Sequence, residues 1–514
     1  MLITVDNLRP DHMSLYGYEK DTTPYLKKFA EESIVFNNAF STSAWTAPGM
    51  VSIFTGYYPP VHAQHGRFSF YDEEMTAPFR VLAEQGYEIL GEAIDGASHQ
   101  GFGFQERLGI WWEKEPLLES FIEARIGNKA PFFAWAHLTD VHLPYTTSAE
   151  NAKRFGASDR TNKAIEAVGK YRVILRHPEQ VDVKLNHPGK VEFDEKDIPI
   201  VHALYDGEVA DVDERLRKNL ERMRETGLLD RTIVIIAADH GEELFDHGWV
   251  GHASTGYDGK LYDELIRIPM IIHLPDKSLT GKFSAMVQGV DVMPTVFELL
   301  GIDSTNMEPQ MQGQSFLPII KGEKDKIRDY VFNQTTFKGW TTPKEEMTTR
   351  IVSVRSEDKK LIWIPTEEGT RVEAYDLLQD PKELTNIYPA RAEEFQALEK
   401  ARNDWTADNQ SRSATLVQGA AEKQIENLAN AVLGKAGVAG AIENWKSIQT
   451  MEETWGLEPD NFFQLESNAA HWQKIQHEAE RMVGEAMICQ SKGTVVRTKN
   501  PQQPLDVDSW HCDL

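Results

Sequence analysis

Apolar positions along the chain fall into short continuous runs separated by stretches with helical spacing. Residues 2–5, Leu-Ile-Thr-Val, form a β-type run that stops at Asp6, the pattern of a buried parallel strand with a polar residue at its carboxyl end. Thr23-Pro24 opens an amphipathic helix with Leu26, Phe29 and Ala30 on one face. Pro48 stands at a helix start behind Thr46, which puts that threonine near a positively polarised helix N-terminus. Residues 131–138 read as another buried strand, and residues 200–226 as a long amphipathic helix stopped by Gly227. Residues 232–238 form an apolar strand that delivers Asp239 and His240.

Strand, polar residue and helix recur in this order over the first 320 residues. That is the grammar of a layered α/β fold with its functional side chains at the carboxyl ends of strands. Residues 150–200 are polar and irregular, and are predicted to form a lid or insertion over the site. Short strands with turns follow over 328–390. Residues 390–490 carry Ala, Glu, Gln and Leu at helical spacing, and 491–514 read as an extended tail with Pro501, Pro504 and Trp510. Exposed apolar faces on that extension would suit a homo-oligomer contact; packing on a core of its own is the alternative.

The length of 514 residues suggests two or three domains, or one large core with an appendage. A formal net charge of −26 argues against a nucleic acid partner, which requires a basic surface. It also means that a small anionic substrate must be drawn in by local positive groups and a cation. Cys489 and Cys512 imply no disulfide framework. No run of about 18 apolar residues occurs, so no membrane span is expected. The first strand begins at Leu2, which leaves no room for a signal peptide, and the chain as given reads as cytoplasmic.

The candidate chemistry lies in six blocks. They are Asp6-Asn7-Leu-Arg9-Pro-Asp11-His12, the segment 41–56 around Thr46-Ala-Pro48-Gly-Met50, and Asp140-Val-His142-Leu-Pro144-Tyr145. They continue with Asp239-His240-Gly241-Glu242, then His252 and the segment Leu261–Pro269, and finally Ala374-Tyr375-Asp376-Leu377 with Asp380-Pro381. In this order, over roughly residues 1–390, the blocks resemble the sulfatase family of the alkaline phosphatase superfamily.

The resemblance implies an α/β fold: an alkaline-phosphatase-like three-layer core with a large mixed sheet over 1–325, a small antiparallel sheet over 326–390 and a helical extension over 391–514. It implies one divalent cation per site (Mn, Zn, Mg or Ca) held by Asp6, Asp239 and His240, with Thr46 as a further ligand. Asn7 either ligates through its carbonyl or donates to substrate. A second cation could be held by Asp140, His142 and His252. His142, His252 and Lys260 fall where family members hold substrate oxygens or protonate the leaving group. His65 and Arg67 approach from behind the Pro48 helix, or form a turn.

The departures matter as much as the matches. The family carries Cys-x-Pro-x-Arg, and the cysteine is oxidised to formylglycine. Here Thr46 holds the cysteine position and Met50 the arginine position, and the family's lysine segment corresponds to Gly91–Gly96, which has no basic residue. Threonine cannot become formylglycine. The resulting expectation is a metal-dependent phosphoester hydrolase, acting on a phosphodiester or phosphonate monoester through a phosphothreonine at Thr46. The alternatives are a sulfatase without formylglycine, a phosphoryl-alcohol transferase, and a catalytically silent scaffold.

Overall fold

The structure is a computed structural model. It describes residues 1–62, 64, 77–92, 107–108, 117–143, 145–157, 195–248, 250–252, 260–304, 307, 310–336, 350–366, 368–413, 495–497 and 510–512. The expectations for His65, Arg67, Cys489, the Pro501–Pro504 stretch and most of the lid lie outside the described residues. So does most of the extension to which a subunit contact was ascribed.

Eight described strands make one large sheet: β1 (Leu2–Val5), β2 (Ile34–Phe40), β3 (Glu88–Glu92), β4 (Arg107–Leu108), β5 (Phe132–Leu138), β6 (Val234–Ala238), with β7 (Glu243–Leu244) and β8 (Val250–Gly251) forming a separate ribbon, then β9 (Arg267–His273) and β10 (Gly281–Gln288). The order across the sheet is β10-β2-β9-β6-β1-β5-β3-β4. Strand β9 runs antiparallel to both neighbours, β2 and β6, and the other pairings are parallel. This is the expected mixed sheet.

Central position explains the composition of β1. Leu2 is in register with Trp135 on one side and Ile235 on the other, and all four residues are buried. A strand covered on both faces must be apolar throughout. The exception, Thr4, is satisfied: its Oγ1 accepts from Trp135 Nε1 at 2.9 Å and meets His137 Nδ1 at 2.8 Å.

The long helix spans Ile198–Glu225, beginning two residues before the predicted start because Pro199 fits its first turn. Two of its buried acids, Asp213 and Asp206, are held by neighbours. Asp213 accepts from the backbone N–H groups of Tyr25 and Leu26, both at 2.8 Å, and so caps the Pro24–Phe29 helix. Asp206 takes His12 and Lys20, each at 2.7 Å. Within the stretch predicted to be irregular, Ala149–Phe155 is a helix capped by Ser148.

Strands β11 (Val331–Thr336), β12 (Arg350–Arg355), β13 (Lys359–Thr366) and β14 (Gly369–Asp376) form the expected small antiparallel sheet. Its edge braces the segment that leads to Thr46: Gln334 N donates to Thr42 O at 2.9 Å and Asn333 Nδ2 to Ser41 O at 2.6 Å. A buried charge cluster completes the attachment. Lys360 Nζ meets Asp263 at 3.0 Å and Glu383 at 2.7 Å, and Arg355 meets Asp263 at 3.1 Å.

The chain divides into two compact units, Met1–Asp404 and Trp405–Leu514. Residues 396–413 are helical, as expected of the extension. The tail, predicted to be extended, contains a strand pair, β15 (Val495–Arg497) with β16 (Trp510–Cys512). Among the described residues no helix is long and apolar enough to cross a membrane.

Candidate active site

Three adjacent strands, β5, β1 and β6, end at the same edge of the large sheet. Asp6 and Asn7 follow β1, and Asp239 and His240 follow β6. Among the described residues, Asp6, Asp239 and His240 are the one group of three or more His, Cys, Asp or Glu in common ligating reach, with their donor atoms within 4.8 Å of one another. All three are fully buried.

Asn7 adopts a left-handed backbone, φ 62°, a conformation that asparagine tolerates better than most residues. Tyr205, from the long helix, holds it there by donating to Asn7 O at 2.5 Å while accepting from Arg9 N at 2.9 Å.

Thr46 reaches the cluster from the other side. It is the first residue of the Thr46–Thr55 helix, and its Oγ1 lies 3.3 Å from His240 Nε2. The helix approaches so closely that a Cβ on Gly49 would stand 2.6 Å from Asp239 O. Only glycine permits that approach.

The donor atoms fit a hard cation. Asp239 Oδ1 accepts from the backbone N–H of His240 at 3.0 Å, but Asp239 Oδ2, both oxygens of Asp6 and Asn7 Oδ1 are buried with no hydrogen bond. His137 Nε2 lies 3.5 Å from Asp6 Oδ2. His240 Nδ1 is directed at Gly241 O at 2.7 Å, so Nε2 presents its lone pair to Asp239 Oδ2 at 3.4 Å and Asp6 Oδ1 at 3.6 Å. Four buried acceptor oxygens without a donor, two of them beside one imidazole nitrogen, are costly unless something positive joins them. A mixed oxygen and nitrogen set of this kind suits a divalent cation.

The electrostatics agree. Burial pushes His240 down to about 4, so the ring is neutral near pH 7 and able to ligate. Burial pushes both carboxyl groups up. In Asp6 the neighbouring His142, His137 and His240 reverse this and hold it below the usual carboxylate range, while Asp239 stays raised.

Behind Asn7 lies Glu242, also fully buried. Its Oε2 accepts from Asn7 Nδ2 at 2.7 Å and from the Tyr145 hydroxyl at 3.3 Å; its Oε1 meets His252 Nδ1 at 3.0 Å. Burial pushes the Glu242 carboxyl up to about 8, and His252, buried beside His142, is pushed down to about 3. The His252 ring lies 4.6 Å from that of His240 and 4.9 Å, edge to face, from that of His142.

The structure therefore brings together Asp6, Asn7, Thr46, Asp239, His240, His142 and His252. It places Lys260 differently: Nζ is engaged by the Glu243 carboxylate at 3.0 Å and by His247 O at 3.2 Å. The proposed second cation set needs correction. Asp140 pairs with Arg215 of the long helix at 2.9 Å, so this carboxylate is already neutralised.

Sequence reasoning quoted Glu242 and Tyr145 within motifs but assigned them no role, and it missed His137 and Tyr205. Strand alternation would have flagged His137 as a polar residue within an apolar run.

The sulfatase family model matches residues 1–302, and a model described as N-sulphoglucosamine sulphohydrolase, C-terminal, matches residues 251–406. The chain belongs to the sulfatase family. It is 25% identical over 433 residues to an ulvan-active sulfatase of Formosa agariphila, covering 72% of this chain and 68% of that protein. It is 23% identical over 516 residues to an N-acetylglucosamine-6-O-sulfatase of Bacteroides thetaiotaomicron, covering 83% and 90%. Among solved structures, the phosphonate monoester hydrolase of Agrobacterium radiobacter shares the fold, with a TM-score of 0.61, 20% identity, and coverage of 80% and 95%. A sulfatase-family chain of this kind is a hydrolase acting on ester bonds.

Proposed function

We propose that the protein is a metal-dependent phosphoester hydrolase that takes a phosphodiester or a phosphonate monoester, with Thr46 as nucleophile. One observation carries this reading. Thr46 Oγ1 stands 3.3 Å from His240 Nε2, at the start of its helix, and no oxidisable cysteine occupies the position. Asp6, Asn7, Asp239 and His240 would hold the cation, with Thr46 as a further oxygen. A bound divalent cation supplies Lewis acidity, which acidifies a hydroxyl and neutralises non-bridging oxygens.

The steps on the chain's own residues are these. Thr46 Oγ1 attacks phosphorus and gives up its proton, which passes through His142 and His252 to the departing oxygen, so that the ester P–O bond breaks and the alcohol leaves protonated. Water then attacks the phosphothreonine and releases the Thr46 hydroxyl. His142 and His252 hold the leaving oxygen and carry its proton. Lys260 contributes positive charge at the edge of the site if substrate draws it from Glu243. Met50 is fully buried in the apolar core, so the segment lacks the guanidinium of formylglycine enzymes. Fewer cations suit a monoanionic ester better than a dianionic one. A second reading, sulfuric ester hydrolysis without formylglycine, is favoured by the names of the relatives.

Initial rates with Mn²⁺ on nitrophenyl esters of a phosphodiester, a phosphonate, a phosphomonoester and a sulfate test this directly. The diester or phosphonate should be turned over best, and Thr46→Ala should lower kcat by about 10³-fold or more. Sulfate as the best substrate would establish the second reading instead. Full activity in Thr46→Ala would remove the nucleophile assignment.

A further inference from the structure

Asn7 directly follows Asp6, and where a second aspartate would add a negative charge to the cation site its amide adds none. Its surroundings explain why an amide is there. Asn7 Nδ2 lies 2.7 Å from Glu242 Oε2. An aspartate at this position would set two carboxylates against each other in a fully buried pocket. An amide donates there instead, and its orientation is then fixed. The flipped amide would point its oxygen at the carboxylate, so Nδ2 faces Glu242 and Oδ1 faces away. Glu242 Oε2 accepts from Asn7 whether or not Oε1 carries a proton. Asn7 Oδ1 is buried and has no hydrogen bond, as are both oxygens of Asp6 and Oδ2 of Asp239.

We propose that Glu242 is a positioning residue that works through two neighbours. Its Oε2 turns Asn7 Oδ1 into the set of oxygens that receives the cation. Its Oε1 engages His252 Nδ1 at 3.0 Å and so fixes which ring nitrogen of His252 works on the substrate. Tyr145 steadies Glu242 through its hydroxyl, at 3.3 Å, and Tyr205 steadies the Asn7 backbone at 2.5 Å. The acid two residues after His240 thereby sets both a ligand and a proton carrier without touching the cation. The inference rests on the cation reading of the site.

Two substitutions test the positioning role, one that keeps both contacts and one that removes them. Glutamine at 242 can offer its oxygen to Asn7 and its amide N–H₂ to His252 Nδ1. Glu242→Gln keeps both contacts and should therefore hold Mn²⁺ affinity within about threefold, and kcat within about tenfold, of wild type. Glu242→Leu frees the amide, and Mn²⁺ affinity by chelator competition should fall about 10–100-fold. Adding Glu242→Leu to Asn7→Leu should produce no further loss, because both remove the same ligand. Melting of the cation-free variants checks that each is folded. Wild-type affinity in Glu242→Leu, additive losses, or a loss of Mn²⁺ affinity in Glu242→Gln as large as that in Glu242→Leu would overturn the proposal. A wild-type protein that takes up no Mn²⁺ would overturn the cation reading first, and is distinguishable because no variant is needed to see it.

Discussion

At the residue scale, the site is a balance between stability and readiness. Asp6 and Asp239 are two fully buried carboxyl groups facing one neutral imidazole, an arrangement that costs free energy until a cation arrives. Removing one charge should relieve that cost. Asp239→Asn is expected to raise the melting temperature of the cation-free protein, by roughly 1–2 kcal/mol of stability. It should also abolish the stabilisation that Mn²⁺ gives wild type, about 2.7 kcal/mol at 100 times Kd. Thermal melts with chelator and with Mn²⁺ measure both effects. A variant less stable than wild type without cation would contradict the idea that these carboxylates repel.

The candidate ligands were legible in the sequence because each follows an apolar run too short for anything but a strand: Asp6 after residues 2–5, Asp239 and His240 after 232–238. The arrangement behind them was not legible. Asn7 meets Glu242 across 235 residues of chain, and Tyr205 meets Asn7 across 198. Only the order of strands in the sheet creates those contacts. Asp140 was misread for the same reason, since its partner Arg215 sits on a helix 75 residues away.

At the scale of elements, the Thr46–Thr55 helix is the part whose placement matters most. Its sequence announces a start, with Pro48 in the first turn. Its depth in the site depends on Gly49, because the backbone of that residue passes close to Asp239 O. Gly49→Ala places a methyl group 2.6 Å from that oxygen, and backbone cannot yield as a side-chain tip can. Overpacking of this kind costs about 1–3 kcal/mol. The helix should be displaced, carrying Thr46 away from His240. A urea midpoint shift together with a fall in kcat that is larger than the fall in Mn²⁺ affinity is the expected signature, since Asp6, Asp239 and His240 do not ride on this helix. Unchanged kcat would mean that the helix tolerates the methyl group and that its depth does not position Thr46. The small sheet braces the same segment through Asn333 and Gln334. That explains why a subdomain with no ligand of its own belongs to the catalytic body.

At the scale of the whole molecule, the chain carries 26 more acidic than basic charges, so each fully buried cation is a deliberate placement. Lys360 is the clearest. It is completely buried between Asp263 and Glu383, where it ties the small sheet to the helix that precedes β9. Burial opposes ionisation of Asp263, but Arg355 and Lys360 overcome it and hold its pKa below the ordinary carboxylate value. The sign follows from linkage. A depressed folded-state pKa contributes stability that is complete above the unfolded value, about 3.9, and is lost as pH falls through the folded one. Lys360→Met keeps the volume and removes the charge, leaving buried carboxylates with less compensation. The cost at pH 7 should be about 3–5 kcal/mol. Because part of that cost is the lost attraction to ionised Asp263, the gap between variant and wild type should narrow as pH drops below about 4. Urea midpoints for both proteins from pH 7 to pH 3 supply the test. A gap that stays constant across this range would place the cost in lost packing, since methionine replaces the aliphatic stem but pH leaves its fit unchanged. Narrowing would establish that the attachment of the small sheet through Lys360 is electrostatic.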